Sequence, residues 1–190
     1  KRYVIEIPTT KRTRLRQATL GMFSVDENDE IDFEDDCVSV KLDALHKVLK
    51  APEHFNGESA LIATDSRKFA RVMGARIPGA EVWQGGQSQK VRDDMKQRFI
   101  DGDLKYIVMV IKAGGTGTDG LQFGTRNVAW VSYDDSRIEN EQFLARTVRR
   151  GQGELVRIRR ILAVDTYDLG ILSKQTQEAI AINRSMKGLT

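Results

Sequence analysis

Between Gln142 and Gln152 the sequence reads Gln-Phe-Leu-Ala-Arg-Thr-Val-Arg-Arg-Gly-Gln, with neither glycine nor proline before Gly151. Wound as a helix, this stretch puts Gln142, Arg146 and Arg149 at i, i+4 and i+7 on one face, with Leu144 and Val148 turned the opposite way. Two guanidinium groups side by side repel unless an anion lies between or in front of them, and the planar arginine fork suits phosphate oxygens. The spacing therefore predicts a polyphosphate partner. An exposed helix whose arginines meet only solvent would carry the same residues.

A second candidate is the glycine loop Lys112-Ala-Gly-Gly-Thr-Gly-Thr-Asp-Gly-Leu-Gln122. Gly115, Gly117 and Gly120 satisfy GxGxxG, and Asp134 follows Gly115 by 19 residues, so a dinucleotide fingerprint is met as a pattern. That fingerprint needs a helix starting within the glycines. Gly120 and Gly124 interrupt the segment, and the next strand pattern begins near Asn127, which leaves too little chain for a crossover helix. The alternatives are a loop whose backbone N–H groups approach phosphates directly, helped by Thr116, Thr118 and Lys112, or a plain tight connection. The phosphate-gripping GxxxxGK[ST] loop of an autonomous ATPase occurs nowhere in the chain. If the protein acts on ATP, another domain is expected to hold most of the nucleotide.

The elements that must position these residues can be read from the apolar periodicity. Ala60 to Ala63 is a candidate strand leading through Thr64, Asp65 and Ser66, all good N-cap types, into a helix to about Arg76. Ala80 to Trp83 is the next strand; Gly85 and Gly86 turn the chain, and Ser88 to Ile100 is a helix with Val91, Met95, Phe99 and Ile100 inward. Tyr106 to Ile111 is nearly continuous and β-branched, as a central parallel strand buried on both faces should be. Asn127 to Ser132 and Leu155 to Val164 are two further strands flanking the arginine helix. A final helix from about Thr166 has Leu169, Leu172, Ala179 and Ile180 at core spacing. Strands alternating with helices imply a parallel sheet covered on both faces, a three-layer α/β/α arrangement.

Ahead of this body, Tyr3 to Ile7 alternates like a strand and ends at Pro8, and Lys11, Arg12, Arg14 and Arg16 form a basic stretch. Asp26 to Asp36 then holds eight acidic residues and reads as a mobile loop. A short helix from Val40 has Leu42, Leu45, Val48 and Leu49 on one apolar face. The expected organisation is a connector over residues 1–40 and an α/β lobe over residues 41–190.

Composition limits the remaining possibilities. The 190 residues, 40% of them hydrophobic, suit one soluble domain with a buried core. One cysteine, Cys37, excludes an internal disulfide and a Cys-based metal site, and two histidines make zinc improbable; no metal site is expected. No apolar run approaches a membrane span, and the N-terminus lacks both a signal-peptide pattern and an initiator Met, as a piece of a longer protein would. The net charge of +3 conceals an asymmetry, because setting the acidic segment aside leaves +11 on the other 179 residues. A basic body suggests a polyanion such as nucleic acid.

The stretch Gln142-xxx-Arg146-xx-Arg149-x-Gly151-Gln152 resembles the last helicase motif of the Swi/Snf-type ATPases of helicase superfamily 2. The upstream order is similar as well. Ala60-Leu-Ile-Ala-Thr is similar to the family's fourth motif, the Gly85 to Arg92 turn to the short motif after it, and Ala113 to Leu121 to the fifth. Leu15-Arg16-Gln17, the acidic segment and Lys41-Leu42-xx-Leu45 resemble the family's run into its second lobe, so the resemblance spans essentially the whole chain. It departs from the family at four places. The glycine loop has one extra residue in Gly117-Thr-Asp-Gly-Leu121, Ile111 stands where a hydroxyl residue is usual, Asp134-Asp-Ser-Arg-Ile138 replaces Trp-Asn-Pro, and the connector between Pro8 and Arg14 is short.

The resemblance implies the second RecA-like lobe of an ATP-dependent DNA translocase or helicase-like protein, intracellular in the cytoplasm, nucleoid or nucleus. ATP and Mg2+ would be held mainly by a first RecA-like lobe absent from this chain, and duplex DNA would be the other partner. Arg149 would then be the arginine finger, Arg146 its phosphate-binding neighbour and Gln142 a positioning residue. Gly117 and Asp119 would approach the nucleotide, and Ser66, Arg67, Lys112, Gly115 and Thr116 the DNA backbone. A lobe with the same fold that only docks nucleic acid or protein, without catalysis, is the alternative.

Overall fold

The computed structural model describes residues 8–28, 30–113, 119–147 and 155–187, with the backbone alone for residues 8–10, 146–147 and 183–187. Its elements in chain order are α1 (Pro8–Ala18), β1 (Ser24–Val25), β2 (Ile31–Asp32), α2 (Val40–Lys50), β3 (Ala60–Thr64), α3 (Arg67–Arg76), β4 (Ala80–Trp83), α4 (Gln89–Asp101), β5 (Tyr106–Val110), β6 (Asn127–Trp130), α5 (Arg137–Thr147), β7 (Arg157–Arg160) and α6 (Tyr167–Lys187). Strands β3 to β7 form one parallel sheet in the order β4-β5-β3-β6-β7. The central strands β3 and β5 are buried along their whole length on both faces, which is why they read as unbroken apolar runs.

Alternate residues of each strand feed two separate cores. On one face Ala60, Ile62, Tyr106, Val108 and Val110 pack with Leu42, Leu45 and Leu49 of α2 and Phe69 and Met73 of α3. On the other, Leu61, Ala63, Ile107 and Met109 pack with Met95 and Phe99 of α4, Phe143 of α5 and Ile171 of α6. The result is the expected three-layer α/β/α architecture. Serines cap three helices: Ser66, one of the cap types read before α3, accepts from Phe69 N, and Ser39 and Ser88 accept from Leu42 N and Val91 N at the first turns of α2 and α4.

The structure corrects several details of the sequence reading. The basic stretch is the helix α1. The acidic segment carries β2, which pairs antiparallel with β1 just ahead of it, and Ile31 and Phe33 from it are buried in the first core, with Phe33 edge-on to Phe69 at 5.2 Å. Two apolar residues thus anchor a segment otherwise too charged to fold on itself. On α4, Met95 and Phe99 point inward as expected and Ile100 is half-buried, but Val91 is exposed. The last helix is rotated: Asp168, Ile171 and Gln175 are buried, whereas Leu169 and Ile180 are exposed. Leu155 is also exposed and β7 is only four residues long. The segment 3–7 lies outside the described residues.

Between β5 and β6 the described residues hold only two short 3-10 turns, Ile111–Ala113 and Leu121–Phe123. Gly120 has φ of +105°, and a Cβ on Gly124 would lie 2.9 Å from the Phe99 carbonyl oxygen, 2.7 Å from its Cε1 and closer still to its Cδ1. One glycine is needed for its backbone angle and the other for close approach.

At the amino ends of β6 and β7, Glu58 accepts from Arg126 Nε and Nη2, Asn127 Nδ2 and Arg157 Nη2. These hydrogen bonds, from Arg126 first, hold its carboxyl down to about 2 from an ordinary 4.5. Because the folded value is depressed, the stabilisation is complete above pH 4.5 and is lost as pH falls toward 2. Replacing Glu58 by Gln should flatten the acid limb of stability across that window; denaturant titrations at pH 5, 4 and 3 measure it, and an unchanged slope would refute the assignment.

Candidate functional site at the carboxyl ends of the strands

The chain leaving β3 turns into α3 on one face of the sheet, whereas the segments after β5 and β6 pack on the other face through Leu121 and Phe143. Connections that diverge to opposite faces leave a crevice at the carboxyl end of the strand between them, the usual ligand position in open α/β sheets. The residues that border it come from three loops: Asp65-Ser66-Arg67 after β3, Lys112 after β5, and Ser132 to Asp135 after β6.

Polar side chains at the carboxyl end of β3 are buried and interlocked. Ser132 Oγ donates to Asp65 Oδ1 at 2.5 Å, lies 2.9 Å from Thr64 Oγ1 and accepts from Asp65 N at 3.1 Å. Arg16 of α1 brings Nε to 2.7 Å from Asp65 Oδ2 and Nη1 to 3.1 Å from Asp135 Oδ2. The pairing with Asp65 is one of charge and proximity, since Nε lies off the line that a hydrogen bond needs. Burial pushes the Asp65 carboxyl above its ordinary value, with the Arg16 charge and the Ser132 hydroxyl acting against that shift.

In the neighbouring β6 loop the polar groups of Asp134 are likewise engaged. Asp134 N donates to Asn140 Oδ1 at 3.0 Å, and Asp134 O accepts from Asn140 Nδ2 at 2.8 Å and Gln175 Nε2 at 2.9 Å. Its carboxylate accepts from Ser136 N at 2.9 Å and pairs with Lys112 Nζ at 3.1 Å. The Ser136 hydroxyl in turn accepts from Glu139 N, so the loop is tied directly to the first turn of α5. Helix α5 packs on the turn Ile111–Ala113, with Phe143 buried against Trp130 at 5.1 Å.

Behind these loops Lys41 of α2 is almost completely enclosed, with Nζ 2.5 Å from Asp168 Oδ2 and 2.8 Å from Val131 O. Asp168 also accepts from Thr19 Oγ1 at 3.2 Å and Ala163 N at 2.9 Å. Burial pulls the Lys41 ammonium below the usual lysine value, while Asp168 favours its charged form.

The candidate residues are placed in different surroundings. Arg67 and Lys112 are exposed at the crevice, Lys112 while paired with Asp134. Ser66 is buried and its hydroxyl accepts from Phe69 N at 3.2 Å, so it caps α3. Gln142 faces solvent on α5, and Asp119 is exposed in the turn that ends at Gly120. Gly115, Thr116, Gly117 and Arg149 lie outside the described residues. So does the side chain of Arg146, whose backbone sits in the last turn of α5. Among the described residues there is no cluster able to hold a metal ion and no helix long and apolar enough to cross a membrane.

Sequence reading missed the roles of Arg16, Ser132, Asn140, Lys41 and Asp168. For Lys41 a signal existed: it adjoins the apolar face Leu42, Leu45, Val48 and Leu49, where an ammonium needs a buried anion. Nothing in the sequence links Arg16 to Asp65 across nearly 50 positions.

No family profile and no curated protein matches this sequence. Solved structures do. The crystal structure of the C-terminal part of the Fun30 ATPase domain superposes with a TM-score of 0.62 at 23% identity, covering 71% of this chain and 44% of that one. The Pyrococcus furiosus Hef helicase domain gives 0.53 at 20% identity, covering 73% of this chain and 29% of that one. This chain therefore spans less than half the length of either solved chain.

Removing one member of the Lys41–Asp168 pair should leave the other buried without its counter-charge, costing about 3–5 kcal/mol. Lys41→Met and Asp168→Leu should each lower the urea midpoint strongly, and the double variant should recover part of the loss. A double variant no better than the worse single one would show that the pair is not the source of the cost. By topology and superposition, the chain has a RecA-like three-layer α/β/α fold, similar to that of the C-terminal part of the Fun30 ATPase domain.

Proposed function

We propose that this chain is the second lobe of an ATP-dependent DNA translocase or helicase-like ATPase, with ATP bound between it and a RecA-like first lobe. The observation that carries the reading is the placement of α5. The helix starts from the β6 loop at the carboxyl edge of the sheet, packs beside the turn after β5, and leads in sequence from Gln142 through Arg146 to Arg149. That edge is where open α/β sheets bind ligands, and the five-position resemblance falls on this same segment. In this reading Arg149 stabilises charge on the transferring γ-phosphoryl, Arg146 binds its phosphate neighbour and Gln142 helps position them. Gly117 and Asp119 approach the nucleotide.

The first lobe supplies the phosphate loop and the magnesium-binding carboxylates, and closure of the lobes as ATP turns over moves DNA. In this reading exposed Arg67 and Lys112 meet the DNA backbone, Ser66 contributes by holding the start of α3 beside it, and Gly115 and Thr116, outside the described residues, are assigned to the same surface. The excess of positive charge outside the acidic segment supports a polyanion partner. Such a protein works inside the cell, where DNA and ATP are found.

Three measurements test this reading. The 190-residue chain alone should show no DNA-stimulated ATPase activity, because it has no phosphate loop; robust hydrolysis by it would refute the half-site. In the two-lobe protein, Arg149→Ala should cut DNA-stimulated hydrolysis by about a thousandfold or more with DNA affinity near the parent value. Arg149→Lys should not restore it, since a point charge does not reproduce the guanidinium fork. Hydrolysis near the parent rate in either variant removes Arg149 from the mechanism, and loss of DNA binding moves it to the DNA surface.

Binding of the chain to duplex DNA should weaken steeply with salt. The acidic segment cannot simply be deleted to test its competition, since Ile31 and Phe33 belong to the core. Neutralising exposed Glu27, Glu34, Asp35 and Asp36 to the amides should instead tighten binding; unchanged affinity would mean that the segment does not compete.

A further inference from the structure

Helix α1 is attached to the lobe in an unusual way. Among its described side chains, Lys11 to Ala18, none is fully buried, and its apolar residues Leu15 and Ala18 are exposed. Apolar packing therefore contributes little to its docking. Arg16, by contrast, is 13% exposed and spans two carboxylates from different loops, Asp65 at 2.7 Å and Asp135 at 3.1 Å. Asp65 immediately precedes Ser66 and Arg67 at the start of α3. Asp135 immediately precedes Ser136, whose hydroxyl starts α5, and it also lies 3.5 Å from Tyr167 Oη at the start of α6.

We propose that Arg16 is a positioning residue that ties α1 to the two strand-end loops, so that the placement of α1 sets the placement of Ser66–Arg67 and of helix α5. The physical basis is that one planar guanidinium supplies the counter-charge to both carboxylates at once, through different nitrogens. If α1 shifts, Asp65 loses its cation inside the protein unless the loop after β3 moves with the helix. Because a buried anion without its cation is strongly disfavoured, that loop follows, and the Ser132–Asp65 hydrogen bond and the Arg16–Asp135 pair draw the β6 loop with it. The chain that precedes α1 thereby gains a mechanical connection to both sides of the crevice. The consequence for catalysis rests on the functional reading above; the coupling itself does not.

Hydrogen exchange of the 190-residue chain tests the coupling without any activity. Arg16→Lys keeps one charge but reaches only one carboxylate. It should speed exchange in α1 and in the first turns of α3 or α5 by roughly tenfold, leaving α2 and α4 at the parent rate. Asp135→Asn keeps the Arg16–Asp65 pair, so it should accelerate α5 but not α3, and it serves if an Arg16 variant fails to fold. Parent-like exchange in α5 for Asp135→Asn, or equal acceleration of all helices, overturns the proposal.

In the two-lobe protein, Arg16→Lys should lower DNA-stimulated kcat about tenfold at unchanged KM for ATP, as loss of transition-state alignment does. An unchanged kcat in that variant, with Arg149→Ala inactive, overturns the proposal. A kcat unaffected by Arg149→Ala overturns the reading of the site instead, and the exchange result still decides the coupling.

Discussion

The carboxylate of Asp65 sits at the end of a strand whose every residue is buried, and it must be stabilised there by the groups around it. The other features of the site follow from that constraint. Ser132 comes from β6 to donate to one oxygen, and Arg16 comes from α1 to face the other. Strands β3 and β6 are therefore cross-linked beyond their last ladder bonds, and a basic helix with little apolar surface is held against the sheet. A charge this enclosed costs far more than an exposed one when it loses its partner, so these contacts determine geometry more than they add net stability.

The same device recurs one layer behind. Lys41 and Asp168 join α2 to the start of α6, with Thr19 and the Val131 carbonyl completing their hydrogen bonds. Two buried cation–carboxylate sites thus connect α1, α2, α6 and the loops after β3 and β6. Polar groups with directional partners admit fewer alternative packings than apolar ones, and they stand where the proposed chemistry needs fixed loops.

The opposite end of the sheet is built differently. There Glu58 collects Arg126, Asn127 and Arg157 near solvent, where screening makes each contact weak and the group titrates within reach of ordinary acid.

The sequence by itself determined the sheet and its order of helices, because unbroken apolar runs such as Tyr106–Val110 have only one comfortable place, between two helical layers. It also pointed to the cap of α3, which Ser66 supplies, because capping is a local matter of a hydroxyl beside the first turn. That the segment around Gln142 is helical was equally legible, because helical periodicity is a local property. Only the tertiary structure decided the rotation of α6, where Asp168 and Gln175 rather than Leu169 and Ile180 face inward to meet Lys41 and the Asp134 carbonyl. It alone revealed that Ile31 and Phe33 root the acidic segment in the core, and that Arg16 spans Asp65 and Asp135. Each of these depends on partners distant in sequence, and a charged side chain carries no periodic signal of the partner it will meet once the strands are laid side by side.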